Sequence, residues 1–197
     1  MGLINYVKNV IANSNIGATE KALAKDILAY IRSAYVKFNS AQEGTAAVLN
    51  AIDAVIGKNY NVTFSKVDSG NVNDADDILE GATLVLESTP RVRFYVKDGA
   101  DVTEYSFKVG NKFVDFAGTG IETDGSFAGF EYIDIELYAY QMVEDIIIIK
   151  GNSTALFHVN YYYDEIAKSG DEALIDLVEK FYNYCYRASV YRTEMTK

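Results

Sequence analysis

The sequence predicts an α+β chain in which helices come first, antiparallel strands fill the middle and helices return at the end. Apolar residues recur every three or four positions over residues 3–57, every second position from about residue 60 to 150, and every three or four again to the C-terminus. The stretches between the period-two runs are too short for crossover helices, so the strands are expected to pair antiparallel in a sandwich or open barrel. The expected organisation is an N-terminal helical segment over 1–57, an antiparallel β-domain over 58–151 and a C-terminal helical segment over 152–197. The two helical segments are expected to pack together, and 197 residues suit one compact unit.

Leu3, Val7, Val10 and Ile11 make the apolar face of a first helix. Leu23, Ile27, Tyr30, Ile31, Ala34, Tyr35 and Phe38 mark a second, with Thr19 as its start signal. A third carries Val48, Leu49, Ile52, Val55 and Ile56 and ends at Gly57, a glycine stop. Strands are expected at 60–66, 83–88, 91–97, 104–109, 112–116, 132–137 and 145–150. Asp98-Gly99, Gly110-Asn111, Gly118-Thr119-Gly120 and Asp124-Gly125 are read as the turns that separate them. Val109-Gly110-Asn111-Lys112 has the form of a tight hairpin. Ile146 to Ile149 are apolar on both faces, which predicts a strand covered on both sides. After Gly151, Ser153 or Thr154 is expected to open a short helical segment reaching Ile166. Following Ser169-Gly170, a long helix carries Leu174, Leu177, Val178, Phe181, Tyr184, Cys185, Ala188 and Tyr191 on one face. Asp171 and Glu172 sit in its first turn and Arg187 and Arg192 late, as the helix dipole favours.

Composition removes several function classes. Eighteen Lys and Arg stand against 28 Asp and Glu, a formal charge of −10, so a general grip on nucleic-acid backbones or anionic lipid is disfavoured. The longest aliphatic run, Ile146 to Ile149, is far below the ~20 residues that span a bilayer, so no membrane insertion is expected. The single cysteine, Cys185, allows neither an internal disulfide nor a cysteine zinc cluster. The start at Met1-Gly2-Leu3-Ile4-Asn5 lacks the features of a secretory signal, which reads as a cytoplasmic protein or an excised piece.

Catalytic constellations are sparse. His158, the one histidine, lies in Leu156-Phe157-His158-Val159 with no motif placing triad partners, and is read as a packed or surface histidine. Cys185 lies on an apolar helix face and is read as a core thiol. The acidic run Asp68, Asn71, Asn73, Asp74, Asp76, Asp77, Glu80 offers the closely spaced carboxylates and amides that calcium requires. It lacks the sixth-position glycine and twelfth-position glutamate of an EF-hand, and reads equally well as a capped helix start. Asp134 and Glu136, about 7 Å apart on one strand face, have the spacing of a carboxylate pair, a pattern any solvated sheet in so acidic a chain will show. No phosphate-binding glycine loop occurs. No enzyme activity, cofactor or metal is expected.

What remains is a sheet face. Arg91, Arg93, Tyr95 and Lys97 on one strand and Tyr132, Asp134 and Glu136 on another would form, as neighbours, an exposed charged and aromatic surface of the type found at protein interfaces. Tyr60, Phe127 and Phe130 are expected to extend it. The plainer reading is a solvated face laced with cross-strand ion pairs.

The second half of the chain resembles a known module. Leu137-Tyr138-Ala139-Tyr140, the segment from Ser153 to Lys168 and the helix from Gly170 to Ser189 resemble the end of a repeated non-catalytic β-sandwich and helix module of large secreted or cell-surface proteins of gut Firmicutes. Residues Ala82 to Glu87 and Pro90 to Lys97 are similar to its opening strands, and the likeness covers about 82–191. It implies an extracellular or cell-surface location within a longer multidomain chain and a non-catalytic role in adhesins, immunoglobulin-binding proteins or polysaccharide-degrading proteins. It brings no set of site residues.

Three functions follow as expectations. The first is a module that binds a host protein, immunoglobulin variable regions being one possibility, through the exposed sheet face. The second is a carbohydrate-binding module, for which 16 tyrosines speak and the lack of tryptophan counts against. The third is a structural spacer.

Overall fold

The computed structural model describes residues 2–61, 78–86, 89–96 and 99–197. The helices are α1 (Gly2–Ala12), α2 (Ala18–Asn39), α3 (Thr45–Ile56), α4 (Val159–Ala167) and α5 (Glu172–Met195). The strands are β1 (Gly81–Val85), β2 (Arg91–Val96), β3 (Tyr105–Val109), β4 (Lys112–Val114), β5 (Phe116–Ile121), β6 (Glu131–Glu136), β7 (Ile146–Lys150) and β8 (Ser153–Phe157). The class is α+β, as the periodicity predicts. Two compact units are present: Met1–Lys66 with Glu165–Lys197, and Val67–Asp164. No helix among the described residues is long and apolar enough to cross a membrane.

In the helical unit, Val7 and Val10 of α1 meet Ala24, Leu28 and Ala29 of α2 and Ile52 and Ile56 of α3. Val7, Val10, Ile52 and Ile56 are periodic positions expected from the sequence. In α2, however, Ala24, Leu28 and Ala29 are the buried ones, while the expected Leu23 and Ile27 are half-buried and Phe38 is exposed. The shared core holds α1 and α3, which at 11 and 12 residues would be marginal alone. α3 stops where expected: Gly57, at φ 90°, takes a conformation that suits glycine, and its N–H donates to the Asp53 carbonyl at 2.9 Å. α2 starts one residue before Thr19, after Gly17, which has no side chain with which to cap it; Thr19 lies inside the helix and its hydroxyl donates to Glu194 Oε1 at 3.2 Å. α5 packs along α2, as the expected pairing of the terminal helical segments requires. Asp26 of α2 is buried and accepts from Arg187 Nε of α5 at 3.0 Å and from the Tyr60 hydroxyl at 2.6 Å. Beside it, Tyr30 packs on Phe181 and Tyr184. Burial, with Cys185 and Tyr184 adding, pushes the Tyr30 phenol up to about 12.

In the β unit, a front sheet runs β1-β2-β6-β5 and a back sheet β4-β3-β7-β8, all neighbours antiparallel. The sheets face each other across aromatic rings: Phe94 of β2 stacks on Phe107 of β3 at 5.0 Å and meets the edge of Phe157 of β8 at 5.3 Å. Val92, Phe94, Ile133 and Ile135 are fully buried on the inner side of the front sheet, and Phe107, Ile146 and Ile148 on that of the back sheet. Period-two alternation therefore does what it predicts on the inner faces.

Three expectations change. The segment opening at Ser153 is strand β8, not helix; α4 begins only at Val159. Gly151, at φ 57°, and Asn152 form a two-residue turn between Lys150 and Ser153, the same Gly-Asn connection that joins Val109 to Lys112. Gly118-Thr119-Gly120 is not a turn but the middle of β5, and the strand expected at 112–116 divides at Asp115 into β4 and β5. Gly120 serves close approach, since a Cβ on it would lie 2.7 Å from the Tyr132 hydroxyl oxygen of β6. Finally, β7 is not covered equally on both sides, since Ile146 and Ile148 are buried while Ile147 and Ile149 are half-buried. Of the strand expected at 60–66, residues 62–66 lie outside the described residues, as do residues 68–77 of the acidic run.

Candidate functional site

β2 and β6 are neighbours, and their register assembles most of the residues singled out from the sequence. Arg91 stands opposite Glu136, Arg93 opposite Asp134 and Tyr95 opposite Tyr132, all on the outer face of the front sheet. Lys97 lies outside the described residues.

Arg93 is the hub. Its Nε and Nη2 donate to the two oxygens of Asp134 at 2.8 and 3.0 Å, a bidentate fork. Its Nη1 donates to Glu122 Oε2 at 3.0 Å, and the guanidinium lies 3.6 Å from the centre of the Tyr132 ring. Arg91 Nη1 reaches Asp134 Oδ2 at 3.3 Å, so one carboxylate, only 2% exposed, serves two guanidinium groups. The Asp134 bond, more than any other influence, holds the Arg93 guanidinium above its ordinary pKa.

The face is less open than alternation alone implies. The segment after β5 folds back on it: the Phe127 ring stacks on Tyr95 at 4.1 Å with the planes 4° apart, and Phe130 meets Phe127 edge-on at 5.9 Å. Tyr95 is thereby buried, and its hydroxyl donates to Glu122 Oε2 at 3.2 Å. Burial first, and the Glu122 bond second, raise the Tyr95 phenol. Phe127 finds room because Gly81 of β1, opposite Tyr95, has no side chain; a Cβ there would overlap the ring. Phe127 and Phe130 thus extend the site as expected, but as a cover. Tyr60, expected beside them, instead donates to Asp26 in the helical unit.

Glu122 was not legible as a member of this site. It closes the network from the far end of β5: besides Arg93 and Tyr95, its carboxylate accepts from the Thr123 and Asp124 N–H groups at 3.0 and 3.4 Å. Burial alone would raise its pKa. The bonds from Arg93, the two amides and Tyr95 outweigh that, and the carboxyl sits below its ordinary value.

Other reactive groups are committed elsewhere. His158 is buried, its Nδ1 accepts from the Asn160 N–H at 3.0 Å and its Nε2 lies 3.1 Å from the Val143 carbonyl. That pair fits one neutral tautomer, with the Nε2 hydrogen donated to Val143 while Nδ1 caps the start of α4. Cys185 is fully buried and burial pushes its thiol well above its ordinary pKa. Asp134, the inner member of the Asp134 and Glu136 pair, has both oxygens engaged by arginine, while Glu136 is exposed. In the helical unit a cavity of about 350 Å³ is lined by aliphatic side chains such as Leu28, Ile31, Val48 and Ile52, without the converging polar groups that orient a ligand. Among the described residues no group of three or more His, Cys, Asp or Glu is placed to hold a metal ion.

No family model, curated protein or solved structure matches this chain. What its outer face can do therefore has to be argued from the face itself. Arg and Tyr are the residue types that dominate binding at protein interfaces, and here Arg93 and Tyr132 are fixed before any partner arrives. A side chain already held in one rotamer loses little freedom on binding.

Proposed function

We propose that this chain is a non-catalytic binding module that meets a protein partner with the outer face of the front sheet. The observation that carries the reading is the Arg93 guanidinium, locked on Tyr132 by the buried Asp134 and flanked by half-exposed Arg91 and exposed Glu136. The engagement of His158 by backbone and the closure of Cys185 in the core fit a non-catalytic role. The resemblance of residues 82–191 to modules of gut Firmicutes surface proteins supports an extracellular setting and a host protein, immunoglobulin among the candidates, as partner.

The test is biolayer interferometry of the purified chain against pooled immunoglobulins and mucosal proteins. Saturable binding is expected, weakened by more than ~1 kcal/mol in Tyr132→Ala and in Glu136→Lys. Tyr95 is unsuitable for this test because truncating it would uncover Phe127. Unchanged affinity in both variants removes this face, and no saturable binding to any protein removes the reading.

A carbohydrate-binding reading has one observation of its own. Tyr138 is 71% exposed and stacked on Tyr140 at 5.6 Å with the planes 7° apart, a flat ring open to a sugar. It predicts retarded migration in gels containing soluble polysaccharide, lost in Tyr138→Ala. A structural spacer predicts a response in neither assay.

A further inference from the structure

We propose that β5 is a docking edge, at which an extended segment of a partner protein with basic flanks adds as a further strand to the front sheet. Among the described residues β5 is bonded on one side only, to β6. Four of its six residues are exposed, Ile121 at 63%. The Glu122 N–H donates to the Phe130 carbonyl at 2.8 Å and the Gly129 N–H to the Glu122 carbonyl at 2.7 Å, so the main-chain groups of Glu122 point inward. The strand alternates from there, turning the N–H and C=O groups of Ile121 and Thr119 outward.

An open edge is a hazard that sheet proteins blunt with charge, proline, short length or cover. β5 carries no charged residue and no proline. Of the other edge strands, β4 has three residues and begins with Lys112, β1 is buried or half-buried throughout, and β8 is exposed only at Ser153 and Thr154, beside its turn. A bulge does shift the register between Phe116 and Gly118, but Gly118 to Ile121 run regularly against β6 beyond it.

Charge selects the occupant. Residues 112–131 contain one base, Lys112, and four acids, Asp115, Glu122, Asp124 and Glu131. A second copy of β5 would bring the same acidic flanks against these, like charge facing like. A segment with Lys or Arg on either side of its paired core meets Asp115, Asp124 and Glu131 with opposite sign, Glu122 being already held by Arg93. Its alternate side chains would lie beside Thr119 and Ile121 on one face, which favours apolar residues. On the other face Tyr132 lies over Gly120, and Gly118 alone leaves open space for a larger side chain. This is recognition by strand addition. Tyr132 borders both surfaces, but the main-chain groups of Thr119 and Ile121 belong to the edge alone, so variants at these two positions test the edge apart from the outer face.

The experiment is selection of displayed short random peptides on the full chain, with Thr119→Pro and Ile121→Lys as parallel targets. Proline at 119 deletes an outward N–H without touching the bonds to β6, and lysine at 121 restores the missing gatekeeper. Protection of the Ile133 amide against hydrogen exchange verifies that each variant is folded, and Ile121→Lys alone suffices should Thr119→Pro fail that check. Peptides retained at least about tenfold better by the unaltered chain, alternating apolar residues between basic flanks, are the expected result. Equal retention by the folded variants, no enrichment, or enrichment without basic flanks overturns the proposal. So does a dimer of the unaltered chain in sedimentation that Ile121→Lys dissociates, since the edge would then serve a second copy.

Discussion

Replacing Asp134 by alanine is expected to cost the β unit about 3 kcal/mol. The carboxylate is 2% exposed and holds two guanidinium groups, Arg93 at 2.8 and 3.0 Å and Arg91 at 3.3 Å. Removing one partner of a buried ion pair costs about 3–5 kcal/mol, because the remaining charge is left desolvated and uncompensated. Here two circumstances hold the value at the lower end. The guanidinium groups retain 17% and 22% exposure, and Arg93 keeps Glu122 at 3.0 Å. Asp134→Asn keeps an acceptor oxygen while losing the charge, and should cost about half as much. Replacing both partners by apolar groups, Arg93→Met with Asp134→Leu, should recover most of the loss, since neither charge then has to be desolvated. Native-state hydrogen exchange at the Ile133 and Ile135 amides reads the stability of the front sheet without assuming that the whole chain unfolds in one step. A cost below about 1 kcal/mol for Asp134→Ala, or a double variant whose loss is the sum of the two single ones, would refute the reasoning.

Acid should loosen the cover before the core. The folded pKa of Glu122 lies below its ordinary value of 4.5, so its contribution is present above that value and is lost as pH falls through the folded one. Exchange at the Gly129 amide, which bonds the Glu122 carbonyl, should quicken over that range, and Glu122→Gln should remove the dependence. Gly81→Ala should displace Phe127 from Tyr95 at a cost of about 1–3 kcal/mol, seen as a lowered midpoint in thermal unfolding; an unchanged midpoint would mean that the ring yields freely. The Cys185 thiol should resist a thiol reagent in the native state and react at once in denaturant, and prompt native reaction would contradict its burial.

Much of the fold is legible because it is written locally. Apolar residues three or four apart, Gly57 as a stop and Asp171 at the start of α5 each act within a few residues of where they stand, although Asp171 is the N-cap just outside the first turn in which it is expected. The Asp171 carboxylate does accept from the Leu174 N–H, at 3.0 Å. The errors arise where one local signal has two physical uses. Gly110-Asn111 and Gly151-Asn152 form the same turn, yet Ser153 and Thr154 after the second also suit a helix start, and pairing with β7 decides between them. Gly118-Thr119-Gly120 has the composition of a turn, but Gly120 serves the approach of Tyr132, a partner more than ten residues away. The candidate site shows the same division. Alternation places Arg93, Tyr95, Tyr132 and Asp134 on one face, while the cover by Phe127 and the closure by Glu122 come from a loop with no periodic signal.

The order in which the strands enter the two sheets bears on synthesis. Successive pairs alternate, β1 and β2 in front, β3 and β4 behind, β5 and β6 in front, β7 and β8 behind, and the central ladders join β2 to β6 and β3 to β7. Arg91 must wait for Glu136 and Tyr105 for Lys150, so neither sheet has its centre until most of the β unit has left the ribosome. The helical unit waits longer still, because α2 packs on α5, which follows the strands of both sheets in the chain. Such separations slow folding, since loop closure comes before the contacts that reward it. A nascent chain stalled before Glu172 would expose both an unpaired α2 face and whatever strands had not yet met, the state in which a chaperone would find it.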